Sequence, residues 1–413
     1  VFERSGGGGP MVQRIVVVGA GIAGMQTALA LRERGYDGGL TLLGAEPHPP
    51  YDRPPLSKDV LLGKAEHSRF EVDYPGLGVE LLLGRRALAP DTARRTLRTE
   101  AAAGGGDAEE LPYDRLVLAT GARPVALPGL PGSAHLLRTH DDAVALKAAL
   151  RPGARVVVVG AGWIGAEAAT VARQLGCAVT VVEAAGTPLA GALPAEVGER
   201  MRGWYAQAGA ELRTGAAVSG FSEGSVRLAS GEVLPADVVV VGIGARPDTG
   251  WLQGSGIALD AGGAVAADDR LRASAEGVFA VGDCASFPSA RYGARLSVHH
   301  WDNALQSPRT AAANALGADE VYDPVPYFWS EQFGRMVQYA GQHGPGDQPL
   351  WRGAAGDAAW SVLWLRGDVP VALLAVDRPR DVAQGRRLIE RRTPVDRARA
   401  ADPSVPLKEA VGG

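Results

Sequence analysis

Arg14-Ile15-Val16-Val17-Val18-Gly19-Ala20-Gly21-Ile22-Ala23-Gly24 is the stretch that decides the fold. Its β-branched run reads as a buried strand, Arg14–Val18, and the apolar residues of Ile22–Arg34 read as a helix. Three glycines at this spacing have separate tasks. Gly19 makes the tight bend, Gly21 lets a diphosphate approach the backbone, and Gly24 admits close packing of helix on strand. The helix then presents unpaired N–H groups to an anion. Ile15–Leu31, behind Arg14, superficially resembles a signal peptide or a membrane span, but it is short for a span and holds three glycines with Gln26 and Thr27.

The same unit returns 141 positions later as the strand Arg155–Val159, the turn Gly160-Ala161-Gly162-Trp163-Ile164-Gly165 and a helix over Ala166–Leu175. Each helix is followed by another apolar strand, Leu40–Leu43 and Ala178–Val182, and then by an acid, Glu46 or Glu183. Two βαβ units predict an α/β protein with two doubly wound parallel sheets. Further strands are expected at Arg115–Ala119, Asp237–Val241 and Val278–Val281. From about residue 325 the texture changes to clustered aromatics, short strands and a helix at Asp381–Arg392, which reads as a separate α+β domain. The expected division is 11–121 with 246–324 as one dinucleotide domain, 122–245 as the second, and 325–413 as the C-terminal domain. Residues 1–10 precede Met11 and read as a tag or misassigned start. Ala101–Gly106 reads as a hairpin loop.

Composition narrows the function. The 413 residues carry 42 Lys+Arg and 46 Asp+Glu, a formal charge of −4, which argues against general nucleic-acid binding. Hydrophobic residues are 46% and charged residues 21%, as in a chain that buries real cores. Glycine, at 56 residues, is about twice the usual share. Only two cysteines exist, Cys177 and Cys284, 107 positions apart, so neither a CxxC nor a zinc quartet can be built. A reducing cytoplasm is the expected compartment. A carboxylate such as Glu183 accepts from both hydroxyls of an adenosine ribose and repels a 2′-phosphate. Two dinucleotide sites without a dithiol point to FAD in one and NAD in the other.

The order of the two sites comes from longer motifs. Pro50-Tyr51-Asp52-Arg53-Pro54-Pro55-Leu56-Ser57-Lys58 resembles a signature of the ferredoxin-reductase family of FAD/NADH oxidoreductases, which includes putidaredoxin and rubredoxin reductases. Ala119-Thr120-Gly121-Ala122-Arg123-Pro124 and Gly242-Ile243-Gly244-Ala245-Arg246-Pro247 resemble its crossover loops, and Gly277–Asp283 its second flavin motif. His300–Ala304, Pro326–Gln332 and the tail from Asp377 to Lys408 match later blocks, so the resemblance covers nearly all of 11–413.

The resemblance implies that Gly19, Gly21, Ile22, Ala23, Gly24 and Glu46 hold the FAD diphosphate and ribose. Many relatives carry the acid one place earlier, where this chain has Ala45. Arg53, Pro54, Thr120, Gly121, Arg123 and Trp301 would line the same cofactor, and Asp283 would accept from its ribityl chain. Gly160, Gly162, Ile164, Gly165, Glu183 and Gly244 would hold NADH. Lys58, paired with Glu167, would set a positive charge beside the flavin, and Trp329 would shield the ring toward the partner. Relatives commonly read Arg-x-Glu-His-Trp where this chain has Ser297-Val298-His299-His300-Trp301, so the resemblance does not carry redox-partner specificity over to this chain. The histidine pair has no spaced ligands, so no metal site is expected.

The implied activity is hydride transfer from NADH to FAD, then single electrons to a small iron–sulfur ferredoxin serving a cytochrome P450 or dioxygenase. Arg386, Arg387, Arg391 and Arg392 form a basic cluster that reads equally as a steering patch for an acidic partner and as a solvated helix face. A disulfide reductase would need a cysteine in residues 11–70, which have none. A flavin-bearing redox sensor of the apoptosis-inducing-factor type is the alternative, disfavoured by the compact length. No membrane partner is expected, and monomer and dimer are both open.

Overall fold

The computed structural model describes residues 12–104, 108–354 and 356–412. The proposed tag at 1–10, and Gly105 and Gly106 of the expected hairpin loop, lie outside the described residues. The chain divides into two compact units.

The first unit takes residues up to Tyr51, Arg69–Ala122 and Pro247–Asp323. Its five-stranded parallel sheet has the order Val278–Ala280, Arg115–Leu118, Arg14–Val18, Gly39–Leu43, Val79–Leu82. The decisive strand is therefore central, and Ile15 to Val18 are all buried. A strand covered on both faces tolerates a continuous apolar run where a half-exposed one would alternate. The helices Ile22–Glu33 and Trp301–Ala315 pack on each other against this sheet. Val16, Val18, Leu43, Leu97, Leu116, Leu118 and Val278 share one core cluster. The antiparallel strands Arg85–Asp91, Thr96–Ala101 and Glu109–Pro112 form a smaller sheet.

The second unit takes Asp52–Ser68, Arg123–Arg246 and the chain from Pro324 onward. Its parallel sheet repeats the first, in the order Glu211–Thr214, Ala178–Glu183, Arg155–Val159, Val238–Val241, His135–Leu136. The helix after its glycine turn spans Trp163–Gln174 and begins three residues earlier than the apolar pattern suggested, because Gly162 already serves as its N-cap. The C-terminal part of this unit is an antiparallel sheet in the order Tyr327–Gln332, Arg335–Gly341, Val369–Val376, Trp360–Arg366, Gln348–Arg352. The helix Pro379–Arg391 lies on it, starting at proline, whose missing N–H costs nothing in a first turn. Buried Arg352 pairs with Asp381 at 3.2 Å and donates to the carbonyls of Ala400 and Val405, pinning the tail to the sheet. Among the described residues no helix is long and apolar enough to cross a membrane.

Candidate active site

In the first unit, two of the three glycines are enforced by backbone and one is left open. A Cβ on Gly19 would stand 2.2 Å from the Ala119 carbonyl oxygen, and one on Gly24 would stand 1.8 Å from the Gly19 oxygen. Gly21 has nothing within 4 Å of that position. The open glycine is the N-cap of helix Ile22–Glu33, whose first turn has neither a capping side chain nor an acid. Its N–H groups are thus presented to an anion, and the cradle fits a dinucleotide diphosphate.

The second flavin motif arrives at the same helix turn. A Cβ on Gly282 would come within 3.0 Å of the Ala23 Cβ, so a glycine is what lets Gly282-Asp283 approach. Gly282 N donates to Ser307 Oγ at 3.0 Å, from the helix that begins with half-buried Trp301. Thr120 Oγ1 donates to Asp248 O at 2.7 Å, and Asp248 N donates to Gly121 O at 2.9 Å, closing the crossover loop. Glu46 lies three residues past its strand and accepts from Tyr51 Oη at 2.6 Å. His300 precedes Trp301, and burial pushes its imidazolium down to about 4 despite the nearby Asp283. Ser297 Oγ and His299 Nε2 are 3.2 Å apart. Among the described residues no three His, Cys, Asp or Glu side chains are grouped as a metal site.

The second glycine loop repeats the first. A Cβ on Gly160 would meet the Gly242 oxygen at 2.5 Å, one on Gly165 the Gly160 oxygen at 2.0 Å, and one on Gly162 nothing closer than 3.6 Å. Here the acid ends its strand and bonds the loop itself. Glu183 Oε2 accepts from Ala161 N and Oε1 from Ala185 N, both at 2.8 Å. Ile164 within the loop and Ile243 beside Gly160 are 41% and 36% exposed. Gly244 follows in the crossover loop, and Arg123 is exposed.

Within the same unit, the Pro54–Ser57 turn brings Lys58 onto Glu167, one turn into helix Trp163–Gln174. Lys58 Nζ lies 2.8 Å from Glu167 Oε2, with the side chains 16% and 5% exposed. Ser57 Oγ donates to the same oxygen at 2.5 Å, and Ser330 Oγ donates to Oε1 at 2.7 Å. Arg53 Nη1 donates to Arg138 O at 2.5 Å. Trp329, next to Ser330, points to the other face of its strand and stacks on Tyr327 at 6.2 Å. Lys58 and Glu167 are therefore brought into one cluster, and Trp329 is not part of it. Ser57, Ser330 and Gln332, which bonds Ser330, were missed as site residues, although all three stand inside motifs singled out above. Arg386 lies over the Tyr327 ring at 5.4 Å and pairs with Glu390 at 3.4 Å, while Arg387, Arg391 and Arg392 are exposed.

Residues 13–308 match the family model for pyridine nucleotide-disulphide oxidoreductases, and 327–411 match the reductase C-terminal domain. The chain belongs to this family. It is 40% identical to the ferredoxin reductase component of chlorobenzene dioxygenase from Cupriavidus sp. (strain PS12), over 97% of this chain and 98% of that protein. It is 33% identical to putidaredoxin reductase of Pseudomonas putida, over 96% of each. The crystal structure of the covalent putidaredoxin reductase–putidaredoxin complex superposes with a TM-score of 0.91 at 33% identity, covering 96% of this chain and 98% of that one. Within a family named for disulphide chemistry, this chain has two cysteines, both free and buried. Burial pushes both thiols up, away from the reactive thiolate.

Proposed function

We propose that the protein is an NADH-dependent ferredoxin reductase: FAD binds at the Gly19–Gly24 loop, NADH at the Gly160–Glu183 loop, and a small iron–sulfur ferredoxin takes the electrons onward to an oxygenase. The observation that carries this is the doubled glycine cradle, open only at Gly21 and Gly162, in a chain whose cysteines cannot form a redox dithiol. FAD, when bound, accepts a hydride as an electron pair and releases electrons one at a time. The protein's own residues hold and orient. Glu183 stands ready for the adenosine ribose hydroxyls, fixed by two backbone N–H groups. Asp283 supplies an acceptor beside the first glycine helix, and Lys58 supplies a fixed charge for the reduced ring.

Trp301 and Trp329 are proposed as aromatic walls of the flavin's surroundings, with Arg53, Pro54, Thr120, Gly121 and Arg123 along its edges. Division into FAD-binding, NAD-binding and C-terminal domains at 121/122, 245/246 and 324/325 is part of the same proposal, as is residence in a reducing cytoplasm. The exposed arginines of helix Pro379–Arg391 would attract an acidic partner. The test is electron delivery: FAD-loaded protein with NADH should reduce cytochrome c only when a [2Fe–2S] ferredoxin is added. Equal reduction without it would remove the ferredoxin from the proposal.

A further inference from the structure

Glu167 is buried, and a carboxylate taken out of water needs donors on both oxygens. Its two oxygens are served unequally. Oε2 accepts from Lys58 Nζ at 2.8 Å and Ser57 Oγ at 2.5 Å. Oε1 depends on Ser330 Oγ at 2.7 Å, since its other donor, Glu331 N, stands 3.4 Å away. Ser330 is itself oriented, because Gln332 Nε2 donates to its oxygen at 3.2 Å and so turns the hydroxyl proton toward Glu167. Ser330 and Gln332 are both 1% exposed, so bulk water is not at hand as a replacement donor.

We infer that Ser330 is a positioning residue for the Lys58 ammonium, acting through Glu167. An ammonium has three N–H donors. One meets Glu167 Oε2, a second reaches toward Pro54 O at 3.4 Å, and the third is left for a ligand. Without the Ser330 hydroxyl, Oε1 loses its only short donor. The terminal carboxylate torsion is soft, so Oε1 turns to the ammonium, draws it inward and cancels more of its charge. The C-terminal sheet thereby sets how much of the Lys58 charge is offered to whatever binds there, through a strand 163 positions from Glu167.

This inference rests on the reading that Lys58 serves the bound flavin, and the test separates the two. The midpoint potential of the bound flavin and the melting temperature are measured for wild type, Ser330→Ala, Ser330→Thr, Lys58→Met and the Lys58→Met/Ser330→Ala double variant. Ser330→Ala is expected to lower the equilibrium constant for flavin reduction about tenfold, which is about 30 mV for a two-electron couple. Ser330→Thr, which keeps the hydroxyl, should restore it, and Ser330→Ala should add nothing once Lys58 is Met. A lower melting temperature with an unmoved potential would show a structural role only and overturn the inference. An unmoved potential in Lys58→Met would overturn the reading of Lys58 and the inference with it. A shift in Lys58→Met with none in Ser330→Ala would overturn the inference alone. If Ser330→Ala does not retain flavin, Ser330→Cys, similar in size but a weak donor, takes its place with the same expected direction.

Discussion

The two glycine loops are the same cradle with different acids. In each, backbone carbonyls forbid a Cβ on the first and third glycines and leave the middle one open. In the second loop the carboxylate of Glu183 is gripped by two N–H groups of the loops it joins. In the first, Glu46 stands beyond its strand and accepts from the phenol of Tyr51. A hydrogen bond from the backbone comes with the fold, whereas one from a side chain can be removed by one substitution. The loop expected to discriminate between nucleotides at every turnover carries the acid bonded by the backbone, and the loop expected to keep its cofactor carries the acid that a side chain bonds.

The largest effect should come from the shared part. Gly24→Ala and Gly165→Ala each push a methyl group into a carbonyl oxygen, and each should cost roughly 3 kcal/mol or more in the unit concerned. Gly21→Ala and Gly162→Ala should leave melting within about 1 kcal/mol of wild type while weakening FAD retention and NADH binding, respectively. Equal damage from Gly21→Ala and Gly24→Ala in thermal unfolding would mean that the loops do not divide the work as their geometry indicates.

Next in size is the difference between the acids. Glu183→Ala with Ala184→Arg removes a charge-assisted ribose contact and adds a phosphate partner, so the NADH-to-NADPH ratio of kcat/KM should fall about 100-fold. Tyr51→Phe, which removes the phenol donor to Glu46, should change FAD affinity no more than about tenfold, read by flavin release on dilution. A larger effect from Tyr51→Phe than from the Glu183 change would reverse the comparison.

A smaller difference lies in acid stability, through the partly buried His300 that follows the first unit's cofactor motif. The folded state accepts a proton on His300 only near pH 4, while the unfolded chain does so near pH 6.5. Stability should therefore fall as pH drops from about 6.5 to 4 and level off below, by about 3 kcal/mol in all. His300→Asn should flatten that limb of the melting profile. The smallest effect belongs to the exposed helix: Arg387→Glu with Arg391→Glu should slow ferredoxin association several-fold at low salt and little at high salt.

Much of this was legible in the sequence because it is local. The strand Arg14–Val18 and its repeat Arg155–Val159 fell where the β-branched runs placed them, and the glycine spacing carried its own geometry. Lys58 came from a motif and Glu167 from the family resemblance, and the structure brings them into contact. Ser330 and Gln332 were not legible as site residues, since a serine hydroxyl reaching a glutamate across 163 positions leaves no period or spacing to read. The grouping of Asp52–Ser68 with the second unit was hidden for the same reason: that segment follows the first glycine unit in sequence, but its bonds run to Arg138 and Glu167.

The central claim, two cradles with one discriminating acid, is tested most directly by anaerobic rapid mixing of FAD-loaded protein with NADH or NADPH. NADH should bleach the flavin absorbance at rates at least tenfold above NADPH at equal concentration, and Glu183→Ala should erase that margin. No bleaching by NADH, or equal rates for both nucleotides in the wild-type protein, would contradict it.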